Sequence, residues 1–213
     1  MSETRILIVD DHPLFRRGVR QLVEMDPDMV IAGEASNGIE AVEVAGTLDL
    51  DLILMDMNMA KMDGLEALRQ MRSNGIDTRI VMLTVSDADD DVVAALRAGA
   101  DGYLLKDMEP EDLLARIKEA AEGKLVISPQ LAAILAGIVS GGRAAPADAL
   151  ATLTSRELDI LRALARGMSN KMVARRLDIT EGTVKVHVKN LLRKLGLRSR
   201  VEAAVWAVNH GVS

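Results

Sequence analysis

Five short runs rich in Ile, Leu, Val and Met recur through the first half of the chain, at Arg5 to Val9, Val30 to Ala35, Leu52 to Met55, Ile80 to Val85 and Gly102 to Leu105. The stretches between them carry apolar residues at helical spacing. This alternation leaves few folds open, because strands that alternate with helices build a parallel sheet with helices on both faces. Local signals mark the helices: Pro13 opens the first, Asp63 can cap the third, Pro110 opens the last and Gly123 stops it.

The residues that end these strands carry the chemistry. The first run leads into Asp10 and Asp11, the third into Asp56, the fourth into Thr84 and the fifth into Lys106. In an open parallel sheet the carboxyl ends of the strands lie along one edge, where ligands bind. Three carboxylates, a hydroxyl and an ammonium therefore converge. At an effective dielectric of ~20 and ~4 Å, two ionised carboxylates repel by about 4 kcal/mol, so the trio calls for a cation. Hard oxygen donors suit Mg²⁺. A carboxylate beside Mg²⁺ and a lysine is equipped to attack a phosphoryl group, because both cations neutralise the charge on its oxygens. Either aspartate taken alone reads as an ordinary turn residue; the five together point to a site.

This set, with Tyr103 three residues before the lysine, resembles the receiver domain of bacterial two-component response regulators over residues 4 to about 123. The resemblance implies a flavodoxin-like, doubly wound, five-stranded parallel sheet. It implies Asp56 as phosphoacceptor, with Asp10, Asp11, Asp56 and the backbone carbonyl of Asn58 around Mg²⁺. It also implies that Thr84 and Lys106 contact the phosphoryl group and that Tyr103 is the aromatic that follows it. Ala60 departs from the pattern, standing where the family usually has proline. Alanine frees a backbone angle and adds an N–H to the loop.

Charge divides the chain again. Residues 1–150 hold 14 basic and 27 acidic side chains, net −13, whereas residues 151–213 hold 12 and 5, net +7. An acidic body joined to a small basic module suggests that the module meets a polyanion and that the halves attract each other. The Ala- and Gly-rich stretch 128–150 between them reads as a linker, with a short helix over Leu131 to Ser140 and Gly141, Gly142 and Pro146 beyond it. The expected domains are thus 1–127, the linker 128–150, and 151–213.

From Leu153 onward the period is helical, with four helices at Ser155 to Gly167, Asn170 to Leu177, Glu181 to Leu195 and Arg200 to Asn209. Gly167 ends the first, Ser169 caps the second and Thr180 the third. The second and third, joined by Asp178 and Ile179, form a helix-turn-helix pattern. At 100° per residue, Val184, Val188, Leu191, Leu192 and Leu195 share a core face, while Lys185, Val186, Lys189 and Arg193 point away. Ammonium groups beside an exposed valine suit the major groove of DNA.

Leu153-Thr154-Ser155-Arg156-Glu157, Asn170-Lys171 and Thr183-Val184-Lys185-Val186-His187 resemble the LuxR-type DNA-binding domain, over residues 150 to 210. Carried onto matching positions, that resemblance implies base contacts from Lys185, Val186 and Lys189 and backbone contacts from Lys171, Thr183 and His187. The fourth helix carries a small apolar stripe, Val201, Ala204, Val205 and Val208, which either packs on its own domain or pairs two copies; the resemblance favours pairing. Receiver, linker and LuxR-type domain in this order look like the NarL/FixJ group. Stretches such as 33–38, 101–114 and 170–188 resemble its nitrate/nitrite-responsive members, a regulator answering another signal being the alternative.

Composition removes competing functions. There is no cysteine, which excludes disulfides, thiolate metal sites and cysteine nucleophiles. The three aromatics Phe15, Tyr103 and Trp206 are too few for a base-stacking platform. Neither a signal peptide nor an apolar run of ~18 residues is seen, so the expected place is the cytoplasm, with no membrane partner. An aspartyl-phosphate phosphatase would want a second aspartate two residues after the nucleophile, and that position is Asn58. A constitutive DNA-binding protein with an inert receiver conflicts with the intact five-residue set. The expectation is a non-enzymatic transcription regulator. It would be phosphorylated by a sensor histidine kinase and bind double-stranded promoter DNA as a homodimer, with RNA polymerase as a candidate further contact.

Overall fold

The computed structural model describes residues 3–85, 89–124, 126–127, 149–168, 170–197 and 199–212. Two compact units, Met1–Ala121 and Glu122–Ser213, divide the chain. In the first, strands β1 (Thr4–Val9), β2 (Met29–Ala35), β3 (Leu52–Asp56), β4 (Arg79–Thr84) and β5 (Gly102–Leu105) alternate with helices α1 (Pro13–Val23), α2 (Gly38–Thr47), α3 (Gly64–Ser73), α4 (Asp89–Ala98) and α5 (Pro110–Glu122). The strands form one sheet in the order β2-β1-β3-β4-β5, every pair parallel. The parallel sheet is the one expected from the alternation, and its order is the doubly wound, flavodoxin-like one that the receiver resemblance implied.

The inner strands are apolar on both faces because both faces are covered. Ile6, Leu7, Ile8 and Val9 of β1 and Leu52, Ile53, Leu54 and Met55 of β3 are fully buried. Near-continuous Val, Ile and Leu runs of this kind mark a two-sided sheet, where an alternating pattern would expose one face. The expected β4 reached Val85, but pairing with β5 stops at Thr84 opposite Leu105, and Val85 stands exposed in the bend beyond it. Its apolar side chain continues the strand pattern in sequence, but no neighbouring strand continues beside it.

Chain order reverses between β1 and β3, which lie side by side although β2 intervenes in sequence. Val9 is in register with Met55, so the residues that follow, Asp10 and Asp56, emerge together at the switch point. The loop leaving Asp56 turns sharply. The N–H of Met57 donates to Leu83 O (2.9 Å), that of Gly64 donates to Met57 O (2.9 Å), and Lys61 takes a left-handed conformation with φ 69°. A Cβ at Gly64 would lie 2.0 Å from the carbonyl oxygen of Asp56. Only glycine permits that approach. Asp63 then caps α3 by accepting from the N–H of Glu66 at 2.7 Å, as its sequence position suggested.

In the second unit a single 3₁₀ turn (Ala149–Thr152) leads into α6 (Ser155–Ala165), α7 (Asn170–Leu177), α8 (Glu181–Leu195) and α9 (Arg200–Asn209). Thr154 and Glu157 form a capping box, and Thr180 and Ser199 cap α8 and α9. Gly167 and Gly196 follow α6 and α8 with φ 71° and 68°, the left-handed turn that glycine adopts without strain. Ile160, Leu161, Leu164, Val173, Val184, Leu191, Leu195 and Trp206 fill the core. The expected cap Ser169 and the expected linker helix over 131–140 lie outside the described residues.

Replacing Gly64 with Ala should destabilise the first unit by about 1 to 3 kcal/mol, the range for forcing atoms into packed space. Urea denaturation of the full chain checks this. An unchanged midpoint would mean that the loop after Asp56 relaxes without cost.

Candidate functional site

At the carboxyl edge of the sheet, the residues expected from four strand ends do meet. Lys106 Nζ lies 2.6 Å from Asp10 Oδ2 and 2.8 Å from Asp56 Oδ2. Both carboxylates are almost wholly buried, Asp10 at 0% and Asp56 at 3% exposure. The backbone places the lysine: Lys106 N–H donates to Thr84 O at 2.7 Å, continuing the β4–β5 ladder one residue past its end. Thr84 is itself buried at the end of β4, and Tyr103 is buried in β5 opposite Met82. The Phe15 ring centroid stands 4.8 Å from the Lys106 ammonium, within cation–π range.

Backbone donors hold the acidic groups in place. The N–H of His12 donates to Asp10 Oδ1 (2.8 Å), that of Asn58 to Asp56 Oδ1 (3.3 Å) and that of Ala60 to Asp11 Oδ2 (3.3 Å). The last bond uses the N–H that a proline at position 60 would lack. Arg16 adds a clamp of its own, donating to the backbone oxygen of Asp10 at 2.5 Å and to Glu34 of β2 at 3.2 Å. Arg16, Phe15 and His12 were not singled out from the sequence. Arg16 and Phe15 lie on α1 with no motif spacing to the strand ends, and the partner Glu34 is eighteen residues away on another strand.

Electrostatics follow from this geometry. Burial pushes the Asp56 carboxyl above its ordinary value of 3.8, Lys106 opposes by donating to it, and the neighbouring Asp10 charge raises it further. Asp10 Oδ2 and Asp11 Oδ1 are buried and accept no well-angled hydrogen bond. Three carboxylates against one lysine leave an excess of negative charge. The donor set, all oxygen apart from His12, fits a hard dication such as Mg²⁺, which receiver domains typically use.

The second unit presents a separate surface. On α8, Thr183, Lys185, Val186, Lys189 and Arg193 are exposed, Val186 at 59%, and His187 is half-buried. Val184, Leu191 and Leu195 are buried, with Val188 and Leu192 packed against the same core, the division expected from helical angles. Lys171 lies on α7. Arg175 and Arg176, also exposed, add positive charge to that helix. A half-buried ion pair steadies the far end of α8, where Lys194 donates to Glu157 Oε2 at 2.6 Å and to Thr152 O at 3.0 Å.

The stripe expected on the fourth helix needs correction. Val201 is buried at 2% exposure, so it is no part of an open face. Helix α9 turns Ala203, Trp206 and Ala207 into the core, and of the stripe only Val208 is fully open, with Ala204 and Val205 half-covered. The core-facing residues Ala203, Trp206 and Ala207 lie beside the stripe, of which Val201 alone is buried.

Comparison with known proteins gives the same two parts. The response regulator receiver domain family matches residues 6–118, and the bacterial regulatory proteins of the luxR family match residues 151–207. The chain is 55% identical over 201 residues to the nitrate/nitrite response regulator protein NarL of Escherichia coli K12, spanning 94% of this chain and 93% of that one. It is 51% identical to NarP of the same organism over the same shares. Among solved structures it is similar to the response regulator ChrA of a heme-sensing two-component system, with 31% identity, TM-score 0.50 and the whole of both chains covered.

Because its folded carboxyl is shifted upward, Asp56 adds stability below its ordinary range, and that stability is lost as pH rises towards the shifted value. In EDTA, the stability of Asp56→Asn should therefore gain on that of the parent as pH rises through this window, read from urea midpoints. A constant difference between the two across that window would mean that burial does not disfavour the charged Asp56.

Proposed function

Since the chain belongs to the two-component response regulators that join a receiver to a LuxR-type DNA-binding domain, we propose that phosphorylation of Asp56 by a sensor histidine kinase controls its binding to promoter DNA. The observation that carries this reading is the buried triad in which Lys106 bridges Asp10 and Asp56. Asp56 attacks the phosphorus of a phosphoimidazole. The P–N bond breaks, the imidazole leaves, and an acyl phosphate remains on the Asp56 oxygen. Asp10, Asp11, Asp56 and the carbonyl of Asn58 would hold Mg²⁺, which would offset the phosphoryl charge. Lys106 stands ready to pair with a phosphoryl oxygen, and Thr84 lies at the strand end beside it.

The signal is nitrate or nitrite, as the names of the NarL and NarP relatives support. Helix α8 reads the major groove through Lys185, Val186 and Lys189, with Lys171, Thr183 and His187 on the phosphate backbone. Two copies bind a pair of half-sites, α9 contributing its open end around Val208. The opposite charges of the two halves favour restraint of the basic domain until phosphorylation. RNA polymerase is then a further partner at the promoter.

Acetyl phosphate and Mg²⁺ should add one phosphoryl group, seen by intact-protein mass, and Asp56→Asn should abolish it; retention in the variant would overturn the assignment. On operator DNA, Lys189→Ala should cost roughly 1 to 3 kcal/mol and relax base preference. Should Lys185 and Lys189 both become alanine with no change in operator affinity, α8 is not the reading element.

A further inference from the structure

Two adjacent residues in the first turn of α6 reach the far ends of both helices of the helix-turn-helix. Arg156 Nη2 donates to the backbone oxygen of Leu177 at 3.2 Å. Leu177 ends α7, so its carbonyl is one that the helix itself leaves without a partner. The next residue, Asp178, takes the left-handed conformation with φ 51°, and the turn into α8 begins there. Glu157, at 4% exposure, reaches the other helix and accepts from Lys194 in the last turn of α8 at 2.6 Å.

Lys194 directs its ammonium into the domain, unlike the open cations Lys185 and Lys189. Besides Glu157 it donates to Thr152 O at 3.0 Å, and Thr152 ends the 3₁₀ turn that leads into α6. Glu157 Oε2 also accepts from the N–H and the hydroxyl of Thr154, at 2.8 and 3.0 Å. One carboxylate oxygen therefore joins the entry to the domain, the cap of α6 and the end of α8. Burial raises the Glu157 carboxyl, but the bonds from Lys194 and Thr154 outweigh it and hold the group below its ordinary 4.5, so the pair is ionic at neutral pH.

We propose that Arg156, Glu157 and Lys194 are positioning residues for base reading, fixing the angle of α8 so that they set sequence preference without touching DNA. The inference rests on the reading of α8 as the element that enters the major groove. At 1.5 Å per residue its 15 residues make a rod about 22 Å long. Arg156 steadies the turn before it and Glu157 holds its far end. Hydrogen bonds to base edges are short and directional, so a small tilt of the rod degrades them. Attraction to phosphates follows the number of charges and survives such a tilt. Loosening the far anchor therefore lowers specificity and leaves non-specific binding in place.

Fluorescence anisotropy of the full-length chain, treated with acetyl phosphate and Mg²⁺, tests this at two salt concentrations. The probes are a duplex that the parent selects from a random-sequence pool and a scrambled version of it. Lys194→Met, which keeps the apolar stem, should cut the ratio of the two affinities at least about fivefold, the least that one mismatched base pair costs. Affinity for the scrambled duplex and its salt dependence should match the parent. The double variant Glu157→Gln with Lys194→Met leaves no buried charge unpaired and should show the same loss, which keeps the test open if the single variant unfolds. A parent-like ratio in the folded variants overturns the proposal. So does a salt slope lowered by about one, which would make Lys194 a phosphate contact. If Lys189→Ala loses the preference while the Lys194 variants keep it, this inference alone fails; if none of them loses it, α8 is not the reading element and the inference falls with that reading.

Discussion

A buried ammonium between two buried carboxylates holds the first unit's functional edge together. Lys106 bridges Asp10 and Asp56, and without it the two anions would face each other in a medium where their hydration is gone. A buried pair that loses one partner is costly, because the remaining charge has no water to turn to. The lysine makes this cluster tolerable to the fold, but one positive charge does not neutralise three carboxylates. The remaining imbalance fits a hard dication such as Mg²⁺, which receiver domains typically use.

That arrangement depends on the reversal of chain order between β1 and β3. Because Val9 pairs with Met55, Asp10 and Asp56 leave the sheet side by side, and because Thr84 pairs with Leu105, Lys106 arrives at the same edge. The turn after Asp56 then closes against Gly64 so tightly that a side chain has no room. Strands hidden on both faces hold this edge rigid, and the polar groups sit where the apolar runs stop. The second unit follows a different logic. Its small core fixes α8 from behind, the Lys194–Glu157 pair ties down one end, and the outward face is left to lysine, arginine and valine.

Much of this was legible in the order of residues, for a physical reason. Strand ends are marked by a change from apolar to polar that does not depend on what lies across the sheet, so Asp10, Asp56, Thr84 and Lys106 could each be located, although only the set together pointed to a site. Helical angles sorted α8 into a core face and an open face, and the structure keeps that division. The errors have an equally physical origin. Val85 continues a β-rich run in sequence but has no partner strand, and Val201 belongs to a small-residue stripe that looks the same whether it meets its own core or another copy.

The sequence by itself determined the kind of fold, the two opposite charges of its halves and the residue types at the functional edge, because periodicity and strand-end chemistry are local properties. Only the tertiary structure decided which groups share a lysine, which backbone N–H steadies which carboxylate, and that Arg16, Phe15 and His12 belong to the site. Those contacts join residues far apart in the chain or on faces with no repeating signal. Their energies depend on distance and burial, which exist only once the strands have been laid side by side.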